Sequence, residues 1–510
     1  MFMRLSGVIE TPRSGPTTAP APKWLQTLGR IVSTALLAVV GVALGLVLGK
    51  KIAADEWVLL VTASGLATYL VVALIDVRHA LMMWLVTAPF ARFVHLNIEL
   101  GRGIPNLTLN RIMTGVLIVL VLAQLAIRRR QWVRLNWVDV FVVTFGCAAA
   151  LSVPNAIVGL KSAAQSFLDL IGIPLAIYFI ARYVVTSRQH MKAVMVSLVI
   201  IGCYLSILAI REQVTGQVWF YPEDRSVQYS ASIRRVVGLL GNPAYIAVSI
   251  AMGVPWAWYL LLRARRGKFW LLAVIGTMMA GIYFCMNRSG WVGLAVSLLT
   301  MGIFVRRFRR IFVMLALLGA ILASTYWALI VTSTTFQERV TAERPIEYRM
   351  EAWDVAFRII KDNPVFGIGY ENYSHVYKRY ARWDIYLRAT PTPHNTYLWV
   401  MLMGGAVAFV PFVLLIAAIL ISALTSLGRR GPEDDQPPEN ELAGVFLASM
   451  AAILVPALVM DILSGYYNTM IMFYIIGSFL GMAAGERRRQ NAAARGIPPT
   501  RTASLAYERI

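Results

Sequence analysis

Apolar residues along this chain gather in blocks of about 20, separated by short polar turns. About 20 residues of helix reach roughly 30 Å, the thickness of a bilayer's hydrocarbon core. Such blocks occupy 31–49, 56–75, 80–96, 111–127, 137–153, 165–185, 191–210, 243–262, 269–286, 289–305, 311–331, 395–425, 441–462 and 467–485. The pattern predicts an all-α integral membrane protein, a polytopic bundle of about 14 transmembrane helices. Two polar intervals separate the blocks, a shorter one at 211–242 and a long one at 332–394. The long interval has a helical period of its own. Ile346, Met350, Trp353, Phe357 and Ile360 recur at steps of 4, 3, 4 and 3, which puts them in one stripe on an amphipathic helix. Pro345 suits its first turn, and Asp362-Asn363-Pro364 ends it.

Composition supports the membrane reading. Of 510 residues, 58% are hydrophobic and only 15% charged, with a mean hydropathy of +0.64. Soluble domains lie near half apolar and a quarter charged. The net charge of +22 would suit a nucleic-acid binder, but its distribution does not. Arg128–Arg130 with Arg134, Arg263 to Lys268, Arg306 to Arg310, and Arg487–Arg489 sit at block ends. Runs of that kind mark cytoplasmic turns. No nucleic-acid partner is expected. Counting spans from these runs puts both termini in the cytoplasm and the long loop outside. The expected layout is a disordered cytoplasmic tail at 1–30, a transmembrane domain at 31–485 with periplasmic loops 211–242 and 332–394, and a basic cytoplasmic tail at 486–510. Gly428–Asn440 reads as a cytoplasmic linker. The first apolar block reads as an uncleaved anchor.

The cysteines add little. Cys147, Cys203 and Cys285 lie inside apolar blocks without ligand spacing, and read as small packing residues. The outer loop offers no spaced acidic or His/Cys set, so neither a metal nor a cofactor is expected.

Three short segments carry the candidate chemistry. Asn287-Arg288-Ser289-Gly290-Trp291 joins two blocks. So short a turn holds Arg288 close to membrane depth, where an arginine either snorkels to headgroups or serves a site. On the amphipathic helix, Arg349 shares or borders the apolar face, where its guanidinium needs an anion: a nearby Glu, or a lipid phosphate. The third segment, Thr390-Pro391-Thr392-Pro393-His394-Asn395-Thr396-Tyr397, leads back into a block. His394 there reads either as an ordinary hydrogen-bonded residue or as a group positioned by stiff prolines. Gly367-Ile368-Gly369 belongs to no dinucleotide motif and reads as a backbone turn after Pro364.

In order, these segments resemble a known family. Asn-Arg-Ser-Gly-Trp, then Arg349-x-x-x-Trp353, then Asn363-Pro-Val-Phe-Gly-Ile-Gly-Tyr-Glu-Asn-Tyr373, then Pro393-His-Asn-Thr-Tyr-Leu398 are similar to motifs of the O-antigen ligase and Wzy-type polymerase superfamily, over about residues 240–425. These are bacterial inner-membrane glycosyltransferases with a GT-C-like helical fold. The resemblance implies transfer of a glycan from undecaprenyl pyrophosphate to an acceptor glycan hydroxyl on the periplasmic face. It implies anion-binding roles for Arg288 and Arg349 and a catalytic role for His394, with Asn287, Trp353 and Asn395 in support. The implied partners are the lipid-linked donor, a glycan or lipid-linked glycan acceptor, membrane lipids, and polysaccharide export and assembly proteins. Asn287 departs from the family's usual serine before the arginine, and about 14 spans exceed a ligase's usual twelve.

The implied chemistry is self-consistent. Guanidinium forks stabilise charge developing on a leaving pyrophosphate without a metal, and a neutral His394 can take the acceptor's proton. Glu347, Glu351 and Asp354 are rival bases, spread around the helix by their spacing. Polymerisation of a surface polysaccharide is the favoured role and ligation to lipid A-core the alternative. A flippase would place charges at span centres, where Asp169 comes nearest, and would show internal repeats. A scaffold protein gives no reason to gather Arg288, Arg349 and His394 at one membrane level.

Overall fold

The computed structural model describes residues 57–94, 96–101, 103–127, 133–221, 235–333, 344–381, 392–428 and 439–495. The expected span 31–49, the tail 1–30, most of the Gly428–Asn440 linker and residues 496–510 lie outside them. Two compact units divide the chain at residues 68 and 69. The described part of the first unit is the opening of helix α1, Trp57–Ile75.

Among its described residues, the regular structure of the second unit is helical apart from a two-residue antiparallel pair, Asn97–Ile98 with Leu107–Thr108. Its principal helices are α2 Val77–Thr87, α3 Leu109–Ala126, α4 Trp137–Ser152, α5 Leu160–Val184, α6 Arg188–Thr215, α7 Pro243–Arg263 and α8 Lys268–Phe284. They continue with α9 Arg288–Phe304, α10 Arg306–Thr325, α11 Arg344–Asp362, α12 Thr396–Leu427, α13 Glu439–Leu454 and α14 Tyr466–Ala494. Among the described residues, nine helical segments are long and apolar enough to cross a membrane, and three shorter apolar helices accompany them. The block at 80–96 departs from the expected pattern. α2 is 11 residues long and passes into a 3-10 turn, Ala88–Phe93, at Pro89. Proline has no N–H to continue the helical ladder, so the block is completed by a 3-10 turn rather than by α-helix.

Glycines let some of the helices approach closely. Gly477, Gly481 and Gly485 recur every fourth residue along α14 and rest on the carbonyls of Tyr178, Arg182 and Thr186. In lipid, where apolar surface gains little by pairing, such small-residue stripes and van der Waals contact hold helices together. Charges near helix ends are paired. Asp139 and Arg182, both buried, meet at 2.6 Å, and the Tyr178 hydroxyl donates to Asp139 at 2.6 Å. Glu441 at the head of α13 pairs with Arg263 at 3.5 Å and Arg307 at 3.3 Å. The basic turns after α7 and α9 therefore lie together at one end of the bundle.

The long loop is anchored in the bundle. α12 breaks at Gly404 and Gly405, where the backbone leaves helical angles. Residues 364–369 fill the break. The N–H groups of Ile368 and Gly369 donate to the carbonyls of Leu402 and Met403 at 2.8 and 3.1 Å. Those of Ala406 and Val407 donate to Pro364 and Val365 at 2.9 and 3.2 Å. The break thus exchanges intrahelical bonds for loop bonds, which membrane depth requires. Gly367 and Gly405 both have positive φ, and a Cβ on either would collide with facing backbone. Asn372 secures the far side: its amide donates to Asn155 O and Ile368 O, both at 2.7 Å.

The amphipathic helix α11 turns a different face inward from the one its large apolar residues mark. Ala352, Val355, Ala356 and Ile359 are buried, against Tyr373, Tyr377 and Leu402. Met350 and Phe357, from the expected stripe, are 63% and 58% exposed. Met350 and Phe357 are left facing outward, while Trp353 and Ile360 of the same stripe are half-buried, Ile360 against this core.

Candidate functional site

The expected site residues fall at the bundle end opposite the basic turns, each at the start of a helix or on α11. Asn287 is the N-cap of α9, and its Oδ1 accepts from Gly290 N at 2.8 Å. The Ser289 hydroxyl donates to the same oxygen at 2.8 Å. Asn287 therefore does structural work: it fixes the first turn on which Arg288 is carried, half-buried. Gly290 lets that turn press against Ala247 of α7.

On the other side, Arg349 and His394 are brought together. Tyr348, one residue before Arg349, lies with its ring 5.6 Å from the His394 ring. The Trp353 indole N–H, one helical turn further on, donates to the Pro393 carbonyl at 2.9 Å. This bond ties α11 directly to the residue before His394. His394 itself has φ +45°, a left-handed conformation rare for a residue with a Cβ. Such strain costs about 1–3 kcal/mol and persists only where the surroundings enforce it. The next residue, Asn395, caps α12: its Oδ1 accepts from Tyr397 N at 2.9 Å and Leu398 N at 3.1 Å.

Burial, and then the positive charge of Arg349, lower the His394 pKa from 6.5 to about 4. The imidazole is therefore neutral at ordinary pH, the state a proton acceptor needs. Of the rival bases, Asp354 is paired to Arg358 and Glu347 is exposed.

One segment links the two sides. The turn 456–465 between α13 and α14 places Pro456 Cγ 2.8 Å from the Cβ position of Gly293 on α9. The same turn takes a hydrogen bond from Asn395 Nδ2 to Leu458 O at 2.9 Å, and another from the Thr396 hydroxyl to Met460 O at 2.9 Å. It thus braces the elements of Arg288 and His394 against each other. It also carries Asp461, a residue the sequence does not mark. Asp461 is 7% exposed, and burial, with Glu371 adding to it, pushes its pKa up to about 7. Its Oδ2 accepts from the Ser464 hydroxyl. The only sequence signal for it is a lone acid in an otherwise apolar outer turn.

Among the described residues no group of three His, Cys, Asp or Glu side chains is placed to hold a metal ion. The candidate cations of the site, Arg288 and Arg349, are guanidinium groups, suited to forked contact with phosphate oxygens.

Residues 274–413 match the family model described as O-Antigen ligase. That stretch contains Asn287, Arg288, Arg349, Trp353, His394 and Asn395. No curated protein matches the chain.

Proposed function

We propose that this chain, whose residues 274–413 match the O-antigen ligase family model, is a member of the O-antigen ligase and polymerase superfamily and transfers a glycan from a lipid pyrophosphate to a sugar hydroxyl. The observation that carries the reading is the placement of half-buried His394 against α11, with the Tyr348 ring 5.6 Å from its own and the Trp353–Pro393 hydrogen bond beside it, which brings it within electrostatic reach of Arg349. An arginine beside a proton acceptor suits a reaction that expels an anion while deprotonating a nucleophile.

In this reading Arg288 and Arg349 hold the donor's pyrophosphate. The acceptor oxygen forms a bond to the anomeric carbon as the bond from that carbon to phosphate oxygen breaks. The acceptor's proton passes to His394, and undecaprenyl pyrophosphate leaves with the electron pair. Single displacement inverts the anomeric centre. In this reading guanidinium groups carried on α9 and α11 stabilise the charge of the leaving pyrophosphate without a metal. On the same reading the site end faces the periplasm of an inner membrane and both termini are cytoplasmic, which the basic turns at the opposite end support by the positive-inside rule. The favoured role is polymerisation of a surface polysaccharide. Ligation to lipid A-core is the second reading, favoured by the description of the matching family.

The test uses the purified full chain in nanodiscs with a radiolabelled undecaprenyl-pyrophosphate-linked glycan. Arg288→Lys and Arg349→Lys keep the charge but lose the fork. Each is expected to slow release of undecaprenyl pyrophosphate by roughly tenfold to a hundredfold, from about 1.5–3 kcal/mol per charged bond. Release at wild-type rate in both variants contradicts the reading. A ladder of products from the donor alone identifies a polymerase, and a single product formed only with lipid A-core identifies a ligase.

A further inference from the structure

A cavity of about 480 Å³ opens at the same end of the bundle, lined by residues the mechanism above does not use. Its walls come from the 3-10 turn after α2 (Arg92), the start of α3 (Asn110), α5 (Ser166, Asp169), the start of α7 (Tyr245) and the start of α14 (Tyr466, Asn468). The volume is that of a small-molecule site, which typically holds about 300–1,000 Å³.

Several lining groups are buried and unsatisfied. Asn468 is fully buried. Its amide donates to Tyr245 O at 2.9 Å and to the Ser249 hydroxyl at 3.0 Å, but its Oδ1 has no hydrogen-bond partner. The Oδ1 of Asn110 and the hydroxyl of Tyr466 also lack one. A buried polar atom left unpaired costs about 1–3 kcal/mol. Three such atoms around one cavity point to a ligand that supplies the missing partners.

The chemistry of the lining selects the ligand class. Two amide oxygens accept hydrogen bonds, and a phenol both accepts and donates, which matches sugar hydroxyls. Tyrosine rings supply flat apolar walls for the C–H faces of a pyranose. A pyrophosphate needs several cations, but the charges here nearly cancel. Asp169 is held by Arg111 at 2.9 Å. The Arg92 guanidinium lies over the rings of Phe93 and Tyr221, at 5.7 and 5.2 Å. A lipid tail would leave the polar atoms unpaired.

The cavity adjoins the site at three points. Ser166 donates to Glu371 of the long loop at 2.6 Å. The Tyr245 hydroxyl donates to Asp461 O at 3.2 Å. Ala247, half a turn beyond Tyr245 on α7, is the residue against which Gly290 packs, in the turn bearing Arg288.

We propose that this cavity is a glycan subsite that holds one hydroxyl-rich sugar ring of a substrate beside the Arg288, Arg349 and His394 site. The assignment of that sugar to a glycosyl-transfer substrate rests on the transferase reading above; the binding of a sugar does not.

Binding is tested without turnover. Saturation-transfer difference NMR is recorded on the full chain in nanodiscs with the methyl glycosides of glucose, galactose, mannose, rhamnose and N-acetylglucosamine. At least one glycoside is expected to give a signal. Tyr466→Phe with Asn110→Ala should weaken it about threefold or more, and Trp270→Phe, at a 71% exposed position outside the cavity and the site, should leave it unchanged. No signal from any glycoside, or equal signals from wild type and the double variant, overturns the subsite. Tyr466→Phe alone removes one oxygen that no protein group holds, and a partial loss is expected there if the double variant fails to fold. In transfer assays, a rise of about threefold in the acceptor KM assigns the sugar to the acceptor, and the same rise in the donor KM assigns it to the donor. If neither changes, the cavity is not a substrate subsite. Sugar binding without any transfer by wild-type protein would defeat the transferase reading and leave the binding site standing.

Discussion

Trp353→Phe isolates the bond that ties α11 to the approach of His394. Phenylalanine keeps an aromatic ring but has no N–H for the Pro393 carbonyl, which accepts at 2.9 Å in the native protein. Pro393 is buried, so its carbonyl loses a partner and gains no easy substitute. An orphaned buried acceptor costs about 1–3 kcal/mol. If that cost falls on the closed arrangement of Arg349 and His394, kcat/KM drops by roughly fivefold to a hundredfold. The assay is transfer from the lipid-linked donor, with thermal unfolding recorded on the same samples. Trp270→Phe is the control, since Trp270 is 71% exposed and contacts Phe269 instead. The reasoning fails if Trp353→Phe stays within twofold of wild type. It fails equally if its loss is matched by the control.

Three further outcomes follow from the structure. With the His394 value lowered to about 4 from 6.5, the unfolded chain binds a proton between those limits that the folded chain refuses. The stability tied to this group is full above about pH 6.5 and declines as pH falls toward 4, by at most about 3 kcal/mol; the acid limb of kcat/KM should lie near pH 4, and a limb at 6.5 contradicts the burial argument. Gly405→Ala places a Cβ against the Val365 carbonyl at a positive φ, so loop docking should fail, with activity lost and the unfolding temperature lowered. Gly319→Ala, where the Cβ meets open space, should be silent. In a cysteine-free background, Ser374→Cys and Gly267→Cys should label with an impermeant thiol reagent from opposite faces of the membrane, and labelling from the same face would overturn the topology.

Hydropathy made the bundle legible because a membrane span must be apolar whatever it packs against. The break in α12 was hidden for the same reason. Leu402 to Val410 is apolar throughout, and a helix whose backbone bonds are supplied by a loop keeps the hydropathy of an unbroken one. Only the Gly404-Gly405 pair hints at it. The stripe on α11 marks an amphipathic helix but not the residues it packs: Met350 and Phe357 face outward, while Ala352, Val355, Ala356 and Ile359 lie against Tyr373 and Tyr377. Arg288, Arg349 and His394 were visible as charge and imidazole at helix boundaries. Asp461 was not, since its significance comes from burial. The cavity was also invisible: Arg92, Asn110, Ser166, Tyr245 and Asn468 come from five separated segments, and nothing local announces their convergence. Asp169 stood out as a charge near mid-span, but its partner Arg111 lies 58 residues away.

The central claim is that the arginines hold the pyrophosphate while His394 takes the acceptor's proton. His394→Ala, purified as the full chain in nanodiscs, separates the two. Binding of the undecaprenyl-pyrophosphate-linked glycan and its transfer are measured on the same preparation. The account predicts donor affinity within about twofold of wild type, and transfer reduced by roughly a hundredfold or more, as removal of a general base does. Near-normal transfer by His394→Ala, or equal loss of donor binding and transfer, contradicts it.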